Sequence, residues 1–301
     1  MQTFHSNGKL LLTGEYLVLD GALALAIPTV YGQSLSVSNS ERIEVSWTSL
    51  DMDEHAWYKG VFSLKDNKIM SSSMDETSEL LLKILRKARQ LNPDFLDGEE
   101  GYSITTKLNF PRNWGLGTSS TLINNIAQWA EIDGFKLLSE SFGGSGYDIA
   151  AAQHESPILY SNKADKPVST PVRLPWKFTD RLYFIHLNIK QDSKEGIALY
   201  RKITVDKSKV LSAISALTLK IVACEELTEF TTLMEEHETI ISQLLGLPKV
   251  KDKLFPDYPG LVKSLGAWGG DFILVSGDAS KMKYFTDKGY PTIIPFTDML
   301  K

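Results

Sequence analysis

A glycine- and hydroxyl-rich run, Pro111-Arg112-Asn113-Trp114-Gly115-Leu116-Gly117-Thr118-Ser119-Ser120-Thr121, stands directly before an apolar, helix-like stretch from Leu122 to Ala130. A glycine-rich turn that leads into a helix directs several backbone N–H groups at one point, and the helix dipole adds partial positive charge there. Such a turn is suited to binding a phosphate group. The alternative is an ordinary loop in which a serine or threonine caps the helix.

The surrounding pattern alternates strands and helices in both halves of the chain. The N-terminal half predicts short strands at 9–12 and 16–19, strand pieces at 22–27, 33–37 and 43–47, a helix at 79–91, a strand at 102–108 and a helix at 119–132. The C-terminal half predicts strands at 182–187, 272–275 and 292–295 and helices at 206–220, 223–246 and 261–265. This order indicates an α+β (mixed α/β) fold, with a domain boundary in the proline-bearing stretch 157–177.

Composition narrows the class of protein. The 301 residues carry a net charge of −5, which argues against nucleic acid as a main partner. The single cysteine, Cys224, excludes an internal disulfide and a cysteine-rich zinc site. The most apolar stretch, Tyr16–Tyr31, is too short and too interrupted to span a bilayer, and the N-terminus lacks a signal-peptide pattern. We therefore expect a cytoplasmic protein with no membrane partner.

Several familiar catalytic motifs do not occur. Gly8-Lys9 is followed by leucine, so it is no Walker-type loop, and Gly115-Leu116-Gly117 lacks the third glycine of a dinucleotide fingerprint. The segment Gly143–Tyr147 lacks the last glycine of a nucleophile elbow, and His237-Glu238 has no second histidine at the zincin spacing. These absences argue against serine hydrolases and zinc hydrolases.

Three glycine-bearing segments in order resemble the GHMP kinases, the family of galactokinase, homoserine kinase, mevalonate kinase and phosphomevalonate kinase. Gly8–Gly21 resembles the N-terminal motif of the family, Gly115–Ser120 its phosphate loop, and Gly266–Asp271 its C-terminal glycine motif. The Gly14–Leu19 run and Gly146-Tyr147-Asp148-Ile149-Ala150 are most similar to the mevalonate and phosphomevalonate kinases and to a bacterial subgroup with a Gly-Tyr-Asp-Ile-Ala motif.

The resemblance implies a two-domain architecture. Residues 1–175 would form an N-terminal, ATP-binding domain that is similar to ribosomal protein S5 domain 2. Residues 176–301 would form a C-terminal ferredoxin-like domain. The implied partner is a small-molecule phosphoryl acceptor, and the protein would be a monomer or a homodimer.

The resemblance also implies ATP and Mg²⁺ as cofactors. The cofactor would be bound by the six residues of the phosphate loop, namely Gly115, Leu116, Gly117, Thr118, Ser119 and Ser120. Ser119 matches the position whose hydroxyl ligates Mg²⁺, and simple N-capping is its alternative role. A second metal ligand is Glu140, the nearest substitute for a glutamate that would fall at Leu137.

Asp148 matches the catalytic aspartate of the family, which would accept the proton of the acceptor hydroxyl. Its alternative role is to cap a helix that begins at Ile149. Lys9 matches a basic residue near this aspartate and would keep Asp148 ionised, whereas a solvated lysine at a strand end is the alternative.

Four further residues are candidates for substrate binding: Glu15, Ser193, Lys194 and Gly269. For Glu15 a structural role in the first loop is the stronger alternative, and Ser193-Lys194 could be an ordinary solvated turn. Trp268 replaces a glycine of the family motif, which places a bulky ring where the backbone normally approaches the ligand.

The identity of the acceptor stays open at this stage. A hydroxyl acceptor requires Asp148 as a base, whereas a phosphate acceptor would depend on Lys9, Arg112, Lys190 and Lys194 as charge clamps. The rival interpretation is a non-catalytic nucleotide- or metabolite-binding protein on the same fold.

Overall fold

The computed structural model describes residues 1–65, 68–73, 75–98, 100–163, 166–189 and 193–301. Its strands are β1 (Gln2–Leu11), β2 (Ala24–Ser40), β3 (Glu44–Leu50), β4 (Ala56–Lys65), β5 (Lys68–Ser71), β6 (Gly101–Leu108), β7 (Ile158–Lys163), β8 (Lys166–Pro171), β9 (Leu182–His186), β10 (Val262–Ser264), β11 (Phe272–Ser276) and β12 (Ile293–Pro295). Its α-helices are α1 (Glu76–Leu91), α2 (Thr118–Trp129), α3 (Gly134–Ser141), α4 (Tyr147–Gln153), α5 (Ser193–Arg201), α6 (Ser208–Ala223), α7 (Leu227–Leu245), α8 (Val250–Leu254), α9 (Lys283–Asp287) and α10 (Phe296–Met299).

The chain forms two compact units that are not consecutive stretches of sequence. The first comprises Met1–Gly8, Tyr31–Arg112 and Leu116–Gln153, and the second comprises Lys9–Val30, Asn113–Gly115 and His154–Lys301. The predicted division at residue 175 is therefore not the edge of a compact unit. As a boundary between family domains it stays a prediction.

In the first unit, four helices cover a sheet in the order β5-β4-β3-β6-β2. Strands β3 and β6 are parallel, and the other neighbouring pairs are antiparallel. Alternation along β3 buries Val45 and Trp47 on one face, where they share a core with Ile84 and Leu85 of α1 and with residues of α2, α3 and α4. The side chain of Asp75 caps α1, which extends the predicted helix by three residues at its N-terminus.

In the second unit, a four-stranded antiparallel sheet has the order β10-β11-β9-β12. Along the chain, helices follow β9 and β11, whereas β10 leads directly to β11. This is the β-α-β-β-α-β order of a ferredoxin-like fold. All five residues of β9 and of β11 are buried. The same unit contains the first residues of β2, which pair with β7, and the β7–β8 hairpin.

Two local predictions were wrong. Residues 17–20 form a 3-10 turn rather than a strand, because Leu17 and Val18 pack inward and Gly21 ends the turn with a φ of 87°. Residues 262–264 form strand β10 rather than a helix. The strand pieces predicted at 22–27 and 33–37 are confirmed as parts of one longer strand, β2, which continues through Pro28. Short apolar runs do not distinguish helix, turn and strand by periodicity.

None of the helices in the described ranges is both long enough and apolar enough to cross a bilayer.

Candidate active site

The glycine-rich run leads directly into α2, as the sequence predicted. The residue that caps α2 is Gly117, whose φ of 92° is left-handed and which makes no side-chain capping bond. The first intrahelical bond runs from the Thr121 N–H to the Gly117 carbonyl, at 3.0 Å. The preceding N–H groups have no acceptor within the helix. The N-capping alternative for Ser119 is wrong, because Ser119 is the second residue of α2.

The hydroxyl groups of this first turn differ in their partners. Ser120 donates to the Gly117 carbonyl at 2.9 Å, and Thr121 donates to Gln33 Oε1 at 2.9 Å. The Ser119 side chain is exposed, and its hydroxyl forms no hydrogen bond with any residue that the structure describes. The Thr118 hydroxyl likewise has no hydrogen-bond partner among the described residues, so Thr118 and Ser119 are the residues of this turn whose hydroxyls are available to a metal ion.

Buried side-chain amides hold α2 in place. Asn125 accepts a hydrogen bond from Ser6 Oγ at 2.7 Å and donates one to the Gln33 carbonyl at 2.9 Å. Asn124 donates to Ser6 Oγ at 2.9 Å. These groups are almost fully buried, so the bonds fix the rotation of α2 and with it the direction of its N–H groups.

The entry to the glycine-rich loop, Asn113–Gly115, belongs to the second unit. The ring of Trp114 packs edge-on against Phe272 of β11, with centroids 5.4 Å apart, and His186 Nε2 lies 3.3 Å from the Asn113 carbonyl. The Lys9 ammonium donates to the Gly115 carbonyl at 3.1 Å. Lys9 therefore contacts the loop itself, which the sequence did not indicate.

Asp148 lies in the first turn of α4 and is half-buried. Because α4 begins at Tyr147, Asp148 is in the first turn and not at the N-cap position before the helix, and its catalytic role stays a prediction. The glycines ahead of it have left-handed φ values of 72° at Gly143 and 118° at Gly144, and neither has a heavy atom within 4 Å of an added Cβ. Space is thus open beside the start of α4.

Helices α2 and α4 pack against each other within the first unit. Ile123 of α2 and Ile149 of α4 belong to one apolar cluster, and Gln153 Nε2 donates to Asn124 Oδ1 at 2.8 Å. The helix that carries Ser119 and the helix that carries Asp148 are therefore neighbours.

Glu15 lies in a fully buried cluster of ionisable groups in the second unit. It pairs with Lys263, which also lies 3.4 Å from Glu238 Oε2. His237 Nε2 accepts the Gly14 N–H at 2.9 Å and is 3.4 Å from Glu15 Oε2. Burial raises the pKa of Glu15 to about 7 against the opposing effect of Lys263. Burial and the Lys263 charge lower the pKa of His237 well below its usual value.

This burial bears on the role predicted for Glu15. Its side chain is 1% exposed, and its partners belong to the protein. The arrangement supports the structural alternative, in which Glu15 holds the first glycine-bearing loop, and substrate binding by Glu15 stays a prediction.

The third glycine-bearing segment is tied to the first by Tyr16. The Trp268 N–H donates to the Tyr16 hydroxyl oxygen at 2.9 Å, and the Trp268 indole donates to the Pro248 carbonyl at 3.0 Å. The ring of Trp268 is therefore anchored towards Pro248 and is 8% exposed. Gly269 next to it has a φ of 86° and open space around an added Cβ.

The remaining predicted site residues lie on α3, at the start of α5 and just before the glycine-rich loop. Glu140 lies on α3 and pairs with Lys87 of α1 at 3.9 Å, so its carboxylate already has a cationic neighbour. Helix α5 begins at Ser193, but the side chains of Ser193 and Lys194 and the whole of Lys190 lie outside the described residues. Arg112 stacks on the Trp57 ring at 3.6 Å. The roles of these residues stay predictions.

No family model and no curated protein matches this sequence. Solved structures match over nearly the whole chain. The Streptococcus pneumoniae phosphomevalonate kinase in complex with phosphomevalonate and AMPPNP has a TM-score of 0.70 at 16% identity, covering 97% of this chain and 99% of that one. The Methanococcus jannaschii mevalonate kinase has a TM-score of 0.68 at 14% identity, covering 97% and 96%.

The Lactococcus lactis galactokinase, complexed with galactose, has a TM-score of 0.70 at 13% identity, covering 100% of this chain and 93% of that one. The chain therefore has the two-domain fold of the GHMP kinases, and the predicted fold class is confirmed. At these identities the likeness defines the fold, and the subgroup suggested by the sequence stays a prediction.

Proposed function

We propose that this protein is an ATP- and Mg²⁺-dependent small-molecule kinase that transfers the γ-phosphate to a small acid such as mevalonate or phosphomevalonate. The observation that carries the proposal is the first turn of α2, where Gly117 leaves the N–H groups uncapped and the Ser119 hydroxyl has no partner within the described ranges. Anions and metal-bound phosphates suit such a turn.

The residues fit a bound magnesium nucleotide. The N–H groups from Gly115 to Ser120 would bind the phosphate oxygens, and the Ser119 hydroxyl would hold the metal. When bound, Mg²⁺ would neutralise charge on the phosphates and orient them. Glu140 would be the second metal ligand, and its carboxylate also pairs with Lys87 at 3.9 Å.

Asp148 would act on the acceptor. Its carboxylate would accept the proton of an acceptor hydroxyl as the phosphoryl group arrives, and the open space at Gly143 and Gly144 leaves room for a small molecule. A phosphate acceptor would need no proton removal. Cations near the loop would then compensate more of the negative charge on the two phosphate groups. Lys9, which donates to the Gly115 carbonyl, is one such cation.

The substitution Asp148→Asn tests the proposal. ADP release should fall by about 10²-fold or more with a hydroxyl acceptor such as mevalonate and by much less with phosphomevalonate. Asp53→Asn, an exposed acid in the β3–β4 turn, is the matched control and should leave both rates unchanged. Turnover by Asp148→Asn equal to wild type on both acceptors would remove Asp148 from the mechanism.

The buried Leu137, which stands at the position of the family's metal-binding glutamate, favours one alternative, a nucleotide- or metabolite-binding protein that does not turn over. This alternative predicts saturable binding of AMPPNP with Mg²⁺ and no ADP release across sugars, amino acids and isoprenoid acids. ADP release that depends on any one of these acceptors would contradict it.

A further inference from the structure

The segment that precedes β11 places a carboxylate directly against the glycine-rich loop. An added Cβ at Gly115 would overlap the carboxyl group of Asp271. Asp271 is 7% exposed, and both residues belong to the second unit. A residue larger than glycine at 115 is therefore disfavoured twice, because the Asp271 carboxyl group would have to shift and because the φ of 66° is left-handed.

The backbone of Asp271 is fixed on both sides. Its N–H donates to the Ile189 carbonyl at 2.8 Å, and its own carbonyl accepts the Leu187 N–H at 2.8 Å. Its φ of 50° is left-handed, a conformation that aspartate tolerates better than most residues. The backbone that carries the carboxylate is thus held by the extension of the β9–β11 pair.

Lys9 approaches the same peptide with the opposite charge. Its ammonium donates to the Gly115 carbonyl at 3.1 Å, while the carboxylate of Asp271 lies against the Cα side of Gly115. Trp114, one residue earlier, is packed on Phe272, the residue after Asp271. These contacts together fix the peptide at which the loop begins.

We propose that Asp271 is a positioning residue, which sets the Gly115 peptide and thereby the direction of the loop N–H groups. The contact is independent of the function, but its effect on nucleotide binding rests on the kinase proposed above. In Asp271→Gly the left-handed φ is unstrained and the carboxylate is absent, so the Gly115 peptide loses its contact on the Cα side and keeps only those of Lys9 and Trp114.

The test is a double-mutant cycle of Gly115→Ala and Asp271→Gly, read by the dissociation constant of AMPPNP with Mg²⁺ and by urea unfolding. Each single substitution should weaken nucleotide binding by at least about fivefold. In the double variant the overlap is gone, so Gly115→Ala should weaken binding much less than it does in the wild-type background. The strain of alanine at a left-handed φ is the same in the wild-type and Asp271→Gly backgrounds, so it cancels from the coupling energy of the cycle.

Asp271→Asn keeps the shape of the side chain and tolerates the same φ, so it should bind AMPPNP within about threefold of wild type. Asp278→Asn, an exposed acid of the same unit that pairs with Arg181, is the control and should bind as wild type does. Additive losses in the cycle, or an Asp271→Asn variant as weak as Asp271→Gly, would overturn the positioning role.

The unfolding data separate this inference from the proposed function. If the wild-type protein does not bind AMPPNP, the proposed kinase function fails. Coupling between the two substitutions in the free energy of unfolding would then still support the contact at Gly115, and its absence would overturn it.

Discussion

The carboxyl group of Glu15 shares its buried cluster with a second carboxylate, Glu238, but with only one ammonium, Lys263. If both carboxylates were ionised and His237 neutral, the cluster would carry one uncompensated negative charge. An uncompensated buried charge is unfavourable, and binding one proton removes it. Burial is the main cause that raises the pKa of Glu15 to about 7; the Glu238 charge adds to it, and Lys263 opposes it.

This cluster predicts how stability depends on pH. The pKa of Glu15 rises from 4.5 to about 7 on folding. Its stabilising contribution to the free energy of unfolding is therefore full below pH 4.5 and is lost as the pH rises through 7. Glutamine does not titrate, so the stability of Glu15→Gln lacks this decrease with pH. The free energy of unfolding of Glu15→Gln relative to wild type should rise by about 1.4 kcal/mol per pH unit across this window.

Urea unfolding of both proteins between pH 5 and about pH 8 measures this difference. His237, whose pKa is lowered, acts in the opposite direction below pH 6.5 in both proteins, so it largely cancels in the comparison. Glu235→Gln, at a half-exposed position of α7, is the control and should change stability by less than about 0.5 kcal/mol. A Glu15→Gln difference that does not vary with pH would contradict the prediction.

Residue type and spacing indicated the loop and the Asp148 helix because those signals are local. Glycines, hydroxyls and an apolar period define a turn and a helix over about ten neighbouring positions. Gly115 contacts Lys9, which lies 106 residues before it, and Asp271, which lies even further away along the chain. Such contacts come from tertiary packing, which one sequence does not display.

The orientation of α2 depends on buried polar contacts as well as on its apolar stripe. Asn125 bridges Ser6 and the Gln33 carbonyl, and Asn124 also contacts Ser6. The sequence predicted the helix but gave Asn124 and Asn125 no role. The spacing of apolar residues predicts which face of a helix is buried. It does not predict which buried polar side chains form hydrogen bonds with one another.

Replacing Asn125 by alanine should therefore destabilise the protein by about 2–3 kcal/mol, because Ser6 and the Gln33 carbonyl lose buried partners. Urea unfolding of wild type and Asn125→Ala measures the effect. Ser119→Ala on the exposed face of the same helix is the matched variant, and it should keep the wild-type stability within about 0.5 kcal/mol.

The same pair separates folding from function. Ser119→Ala should lose Mg²⁺-dependent ADP release while it keeps its stability, whereas Asn125→Ala should lose stability first. Equal stabilities of Asn125→Ala and wild type would show that these bonds do not hold α2.

At the level of the whole chain, residues 9–30 belong to the same compact unit as residues 154–301. Thr13 and Thr218 hydroxyls are 2.8 Å apart, the Leu23 N–H donates to Ser215 at 3.0 Å, and Glu15 pairs with Lys263. A fragment of residues 1–175 would keep this segment and lose all three partners. The buried Glu15 would be left without its ammonium, which is strongly destabilising.

We therefore expect the fragment 1–175 to lack a cooperative unfolding transition in urea followed by near-UV circular dichroism, although it ends at the domain boundary that the sequence predicts. Co-expression with the fragment 176–301 should restore the transition, because it returns α6, α7 and β10 to the segment 9–30. A cooperative transition of 1–175 alone would show that the sequence boundary also divides the fold, and that contacts of residues 9–30 with the C-terminal half are dispensable.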